Sequence, residues 1–299
     1  MTVRRPDSRS VKDEQRETWD AVSPGWERTL ATFERGAAAV TRRLLELGGV
    51  RPGHAVLDVA TGLGEPALSA ASVVGPSGRV LGIDISPRML EAARRRAAGA
   101  GNVEFAVADA EAPGLPPGSF DVVLSRWGLM FAVDHGALFR SLARLLRPGG
   151  VLAAALWAPP ARVPMMALGH AAVRERLRLP PPPPGTPGPF SMAEAGTLAA
   201  EVRRAGFAEV SVTEHVVPFR VASPQEYAEF ARAVMPPGLL RAVREAFGSA
   251  DDPGTWAAVA AAAERYRSGD GGLLLPSTAL LLRAARPEDA AAGAAGGDA

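Results

Sequence analysis

"VLDVATGLGE" (residues 56–65) is the stretch on which the reading of this chain turns. An apolar run meets a carboxylate at Asp58, and a glycine turn, Gly62-Leu63-Gly64, follows at once. A strand that runs into such a turn and then a helix brings backbone close to a ligand, because glycine has no side chain to hold it off. Two ligand classes use a turn of this kind, and they carry opposite charge. One is a dinucleotide with an anionic pyrophosphate. The other carries a sulfonium cation.

Outward from the turn, strands alternate with helices. Residues 54–60, 79–85, 102–109, 120–127 and 151–157 read as buried strands, with helices over 65–74, 86–101 and 135–150 between them. Ser86 is the expected N-cap of the second of these helices, with Pro87 at its first position. Pro148-Gly149-Gly150 is the expected stop of the third. This alternation implies a parallel sheet covered on both faces. Upstream, a helix is expected over 13–34, interrupted at Pro24-Gly25, and another over 36–48. Residues 1 to about 12 read as disordered. Downstream, the proline run at 178–190 reads as a loop, 192–207 as a helix and 208–217 as a strand. Residues 224–268 read as two or three helices broken at Pro236-Pro237 and Asp252-Pro253, and 277–285 as a last strand.

Composition narrows the classes. The chain has 299 residues, 47% of them hydrophobic, enough to bury a sizeable core. A net charge of +1 gives no general attraction for nucleic acid or an anionic membrane. The three arginines at 94–96 read as a solvated helix face, and Lys12 is the sole lysine. The absence of cysteine excludes disulfides, thiolate metal sites and a cysteine nucleophile. No stretch reaches the ~18 apolar residues of a membrane span. A cytoplasmic, soluble protein is expected, and a homodimer is left open.

Gly62 to Ala67 satisfies the dinucleotide pattern, with Asp84 at the spacing of a ribose-binding acid. Charge argues the other way. Asp58 and Glu65 flank the turn where a pyrophosphate would sit, and like charges 4 Å apart repel by about 4 kcal/mol at an effective dielectric near 20. The same carboxylates suit the ammonium and sulfonium of S-adenosylmethionine (SAM). Asp84 can accept from both ribose hydroxyls, Asp109 from the adenine amino group, and the Ala110 backbone can read the ring edge. Asp58, Asp84 and Asp109 end consecutive strands, where ligands bind in open α/β sheets.

Together "VLDVATGLGE", "GIDISPRMLEAAR", "VADAEAPGLPPGSFDVVLSRWGLMF" and "LARLLRPGGVLAAALW" resemble the class I SAM-dependent methyltransferases, in particular the small-molecule group of the ubiquinone/menaquinone C-methyltransferases. The resemblance covers about residues 50–157. Its first motif glycine is replaced by Ala60 here. It implies an α/β, Rossmann-like seven-stranded sheet, its last strand antiparallel, with helical lid elements at both ends. The implied cofactor residues are Asp58, Ala60, Gly62, Leu63, Gly64, Asp84, Ile85, Met89, Asp109, Ala110 and Arg126.

On this reading, residues 1–34 are a disordered start and lid helix carrying Trp19 and Trp26, and 35–157 the SAM-binding core. Residues 158–222 are linker, helix and sixth strand, 223–270 a helical insertion capping the substrate, 271–285 the last strand and 286–299 a disordered tail. The expected activity is methyl transfer to O, C or N of a small molecule such as a quinol, phenol or specialised metabolite. A SAM-binding cyclase or regulator would keep the same motifs, and an NAD(P)-dependent oxidoreductase is the rival from the glycine turn alone. His135 is the candidate general base, with a helix-end role as its rival; Asp134 reads equally as an N-cap. His54 reads as structural, and His170 and His215 lie outside the recognisable core. Trp127, Met130 and Phe131 are candidates for the substrate wall. The tetrapeptide of amino-methylating nucleic-acid enzymes is missing after the fourth strand, where Ser125-Arg126-Trp127-Gly128 stands. No metal site is legible.

Overall fold

The computed structural model describes residues 8–183 and 185–288. Five parallel strands come first: β1 (Ala55–Val59), β2 (Arg79–Asp84), β3 (Val103–Val107), β4 (Phe120–Arg126) and β5 (Leu146–Trp157). Two long strands follow, β6 (Ala208–Val221) and β7 (Leu273–Ala285). The sheet runs β3-β2-β1-β4-β5-β7-β6, and β7 is antiparallel to both of its neighbours. Every residue of β1 is buried, as a strand covered on both faces requires. Strand order reverses between β1 and β4, which opens a crevice at their carboxyl ends.

Helices α2 (Ala67–Val74), α3 (Pro87–Arg96) and α4 (His135–Leu145) link the parallel strands. Ser86 caps α3 by accepting from the Met89 N–H at 3.1 Å. A single helix, α1 (Ser8–Gly48), precedes β1 and packs on β4, β5, β6 and α3. After β5 come α5 (Pro164–Arg176) and α6 (Ala195–Arg204). Between β6 and β7 lie α7 (Pro224–Ala233), α8 (Pro237–Phe247) and α9 (Pro253–Ala263), broken at the two proline sites expected. The buried Tyr227 hydroxyl ties α7 to α5, accepting from the Gly169 N–H at 2.9 Å and donating to the Pro164 carbonyl at 3.1 Å.

Several sequence expectations change. Residues 8–12, read as disordered, are the first turns of α1, and residues 1–7 lie outside the described residues. The break expected at Pro24-Gly25 does not occur, and the two expected helices are one. Pro24 forfeits one backbone hydrogen bond, but Gly25 lets α1 press against the Ala233 carbonyl of α7, and that packing holds the axis. Strand β5 begins at Leu146, so Pro148-Gly149-Gly150 belongs to a strand start rather than a helix stop. The helix α5 was not foreseen: Met165-Met166-Ala167-Leu168 shows no clear amphipathic period because α7, α8 and α9 cover it. Of the tail, only 286–288 is described, and 289–299 lies outside. Among the described residues no helix is long and apolar enough to cross a membrane.

Candidate cofactor and acceptor site

The crevice opens into a deep cleft walled by the glycine turn, the ends of β2 and β3, the segment after β4 and one face of α1. The empty space inside is about 1340 Å³, open solvent at the mouth included.

Asp58 does not line this cleft, contrary to the sequence expectation. It is fully buried behind the turn. Its Oδ2 accepts from the Thr61 hydroxyl at 2.6 Å and the Ala67 N–H at 2.9 Å, so it fixes the turn and the first turn of α2. Its Oδ1 has no hydrogen-bond partner among the described residues. Burial pushes the carboxyl up to about 7, against the pull of the Thr61 hydroxyl, the Ala67 N–H and the Arg126 guanidinium. A side chain pointing from a strand sandwiched between helices reaches core, not solvent. The carboxylate that faces the cleft at the turn is Glu65, which accepts from the Ser69 hydroxyl at 2.7 Å.

Several N–H groups of the turn are already engaged. Gly62 N–H donates to Asp84 Oδ2 at 2.9 Å, and Gly64 N–H to the Thr61 carbonyl at 2.9 Å. Ala67 N–H is held by Asp58, and Leu68 N–H by the Gly64 carbonyl at 2.8 Å. Gly62 itself sits at φ 53° with open space where a Cβ would stand, so its backbone is bare toward the cleft.

Asp84, Ile85, Met89, Asp109 and Ala110 all line the cleft, together with Ala60 and Leu63. Asp84 accepts one backbone N–H on each oxygen, from Gly62 and from Ser86, both at 2.9 Å, which leaves lone pairs on both. Burial pushes it up to about 6, while the Ser86, Gly62 and Ile85 N–H groups pull it down. Asp109 Oδ1 accepts from the Glu111 N–H at 2.9 Å, and its Oδ2 meets Lys12 Nζ of α1 at 2.7 Å. Lys12 also pairs with Glu111 at 2.9 Å.

Gly64, the remaining turn residue singled out, does not line the cleft. A Cβ on it would meet Leu68 and Ala93, so it serves the packing of α2 against α3.

Beyond β4 the wall turns apolar. Arg126 lines the cleft but is tied down: it donates to both carboxylate oxygens of Glu34 and to the Thr41 hydroxyl at 2.7 Å, all on α1. Trp127 stacks on Trp157, ring centroids 4.2 Å apart and 11° between planes, and meets Phe33 edge-on at 5.2 Å. Met130 and Phe131 also line the cleft, with Trp19 edge-on to Phe131 at 4.8 Å. Ala60 and Trp127 both have left-handed backbone, φ 55° and 60°. The Ala60 methyl packs against Gly128, where a Cβ would collide with it. The departure from glycine at Ala60 is thus accommodated by a glycine across the cleft wall.

Helix α1 supplies what the sequence reading missed: Lys12, Gln15, Leu30, Phe33 and Glu34 join Trp19 and Trp26 along the cleft. The signal was the spacing 12, 15, 19, 26, 30, 33, in steps of three, four and seven, which marks one helix face once Pro24 is read through. Gln15 donates to the Phe131 carbonyl at 2.9 Å, and the Ser86 hydroxyl donates to Asp20 at 2.6 Å. By contrast no residue of 223–270, expected as the substrate cap, lines the cleft. The helices there back α1 instead, with Phe230 of α7 against Trp26 and Phe33.

His135 is not brought to the cleft either. It opens α4, with Nδ1 3.1 Å from Glu201 of α6. Asp134 is the N-cap, accepting from the Ala137 N–H at 2.8 Å. His170 is held below its ordinary value by burial, with Nδ1 2.9 Å from the Met166 carbonyl. Among the described residues no group of three or more histidine or acidic side chains stands close enough to hold a metal ion.

Comparison with known proteins then places the geometry. The family described as "Methyltransferase domain" matches residues 56–150. The nocamycin O-methyltransferase of Saccharothrix syringae is 34% identical over 203 residues, 62% of this chain and 70% of that protein. The chain belongs to the class I SAM-dependent methyltransferases. Its cofactor is SAM. The methyltransferase is also 45% identical over 114 residues to the ubiquinone/menaquinone biosynthesis C-methyltransferase of Ectopseudomonas mendocina, 37% of this chain and 44% of that protein. It therefore spans less than half the length of these C-methyltransferases. Among solved structures, the [4+2]-cyclase SpnF shares the fold with a TM-score of 0.56 at 23% identity, over 85% of this methyltransferase and 83% of that chain. The YcgJ protein of Bacillus subtilis does so with 0.54 at 19%, over 83% and 98%.

Proposed function

We propose that the chain transfers the methyl group of SAM to an oxygen or carbon of a small, largely apolar acceptor. When bound, SAM supplies a methyl group made electrophilic by its sulfonium. One observation carries the reading: a single cleft joins a carboxylate-lined end, at Asp84 and Asp109, to an aromatic end, at Trp127, Phe131 and Trp157. Asp84 holds the ribose hydroxyls on its remaining lone pairs, and Asp109 with the Ala110 backbone holds the adenine edge. The bare backbone at Gly62 and the side chains of Ile85, Met89 and Leu63 complete the cofactor wall. Glu65 and Glu34 stand at the methionine end, each beside an arginine, Arg96 and Arg126.

Among the described residues the aromatic end has no dedicated base. Glu34 is spent on Arg126, and His135 lies away from the cleft. The protein's part is alignment and exclusion of water by α1. The acceptor is accordingly one whose proton is lost readily, such as a phenol or an enol. O- and C-methyl transfer are both represented among the relatives' names.

The test is incubation of the purified chain with isotopically methyl-labelled SAM and a panel of phenols, enols and quinols, read by mass spectrometry. Labelled product and released S-adenosylhomocysteine are expected. Tight cofactor binding without transfer to any member or to a cell extract would overturn methyl transfer.

A further inference from the structure

Asp20 of α1 holds a corner of the cleft that it does not itself reach. Neither Asp20 nor Ser86 lines the cleft, yet Ser86 follows directly on Asp84 and Ile85, which do. Ser86 is fully buried. Its N–H donates to Asp84 Oδ1 at 2.9 Å, and its hydroxyl oxygen accepts from the Met89 N–H at 3.1 Å. The hydroxyl proton goes to Asp20 Oδ1, 2.6 Å away, and the same oxygen accepts from the Arg88 N–H at 3.2 Å. One carboxylate oxygen on α1 thus fixes the start of α3 through two donors. A buried hydroxyl left without an acceptor carries a desolvation cost, so Asp20 also decides how the Ser86 side chain stands. The second oxygen of Asp84 is set from the other side, by the Gly62 N–H at 2.9 Å. The lone pairs that Asp84 keeps for a ligand therefore point where the turn and Ser86 aim them. A binding side chain needs such support, because a displacement of about 0.5 Å already spoils its hydrogen bonds.

We propose that Asp20 is a positioning residue for the cofactor: through Ser86 it holds Asp84 at the angle that accepts both ribose hydroxyls. This rests on the reading of Asp84 as the ribose-binding acid. Part of the cofactor's selection then falls to a residue outside 56–150, the stretch that matches the family. Helix α1 reaches the adenine end as well, through Lys12 on Asp109 and Glu111. The two contacts differ in reach. Lys12 fastens the helix over the nucleoside as a whole, whereas Asp20 acts on the ribose alone.

The test is calorimetry on the full chain with S-adenosylhomocysteine and with its 2′,3′-dideoxy analogue. It is run at pH 8, where Asp84, raised to about 6, is ionised. The parent should bind the dideoxy ligand about tenfold or more weaker. In Asp20→Ala, S-adenosylhomocysteine should weaken by about three- to tenfold while the dideoxy ligand changes by less than about twofold, so the preference for the hydroxyls shrinks. Asp20→Asn keeps an oxygen acceptor in place and should restore the preference. Lys12→Met should weaken both ligands alike, the pattern of a helix that is merely loosened. Each preference is a ratio within one protein, so a partly unfolded variant still reports it. Ser86→Ala, which removes the hydroxyl from the other side, should give the same shrinkage and serves where Asp20→Ala does not fold. A preference in Asp20→Ala equal to the parent's, a loss of both ligands alike, or an Asp20→Asn as impaired as Asp20→Ala would overturn the proposal. If the parent itself binds both ligands equally, the reading of Asp84 as the ribose acid fails. If the parent discriminates and Asp20→Ala does so equally, only the part given to Asp20 fails.

Discussion

Replacing Gly128 by alanine should break the contact between the two walls of the cleft, and removing the Ala60 methyl should restore it. Gly128 has φ −109° and ψ −39°, backbone that alanine adopts freely, so the cost is steric alone. A Cβ there would fall on the Ala60 Cβ, far inside the ~3.5–4.0 Å at which carbon atoms rest. Overpacking of this kind costs about 1–3 kcal/mol. Ala60→Gly relieves about 1–2 kcal/mol of left-handed strain at φ 55° and gives much of it back by loosening the unfolded chain. It should therefore be close to neutral alone. In the double variant the remaining neighbours of the new methyl are the Ser125 hydroxyl at 3.1 Å and the Val59 carbonyl at 3.3 Å, which yield by tenths of an ångström. The double variant should thus be about 1–2 kcal/mol more stable than the sum of the singles predicts. Urea unfolding of the four proteins measures this coupling, and calorimetry with S-adenosylhomocysteine should show binding lost in Gly128→Ala and recovered in the double. A Gly128→Ala protein as stable as its parent, or a double variant no better than the single, would refute the reasoning.

Three further outcomes follow from the same geometry. Asp84→Ala should weaken S-adenosylhomocysteine by about tenfold or more, since a charge-assisted bond is worth about 1.5–3 kcal/mol; calorimetry showing an unchanged Kd in a folded variant would reduce Asp84 to a strand end. Asp58 is pushed from an ordinary 3.8 up to about 7, so the folded protein holds more protons than the unfolded chain between those values, and stability falls as pH rises through the window. Asp58→Asn lacks this slope, and its stability relative to the parent should improve by up to about 4 kcal/mol from pH 4 to 8 in urea titrations; a pH-independent difference would contradict the burial argument. Lys12→Met removes the ion pairs to Asp109 and Glu111, partly exposed and worth about 0.2–1 kcal/mol each. Stopped-flow fluorescence from Trp19 and Trp26 should show S-adenosylhomocysteine leaving a few-fold faster, and an unchanged rate would mean that the start of α1 does not fasten the cleft.

What the sequence determined by itself was local and periodic. The acids at or within two residues of the strand ends, Asp58, Asp84 and Asp109, the turn at Gly62 and Gly64, and the N-cap at Ser86 follow from residue type and spacing, Asp84 alone being the last residue of its strand. The alternation of apolar strands with helices carried the parallel half of the sheet for the same reason. The rest depended on what met what across the fold. Pro24 reads as a helix break by any local rule, and only the approach of Gly25 to α7 keeps α1 whole. Asp58 reads as a ligand carboxylate, yet its side chain turns into the core and stabilises the turn from behind, a direction that no spacing encodes. His135 stood in the expected place along the chain and points to Glu201 of another helix. The helices of 223–270 were free in the sequence to cover the cleft, but α1 occupies that face, and they pack behind it. Backbone geometry and burial pattern are written in neighbouring residues; the choice of which helix covers a cleft, and which way a buried charge faces, is made by long-range packing, where shape and desolvation outweigh local preference.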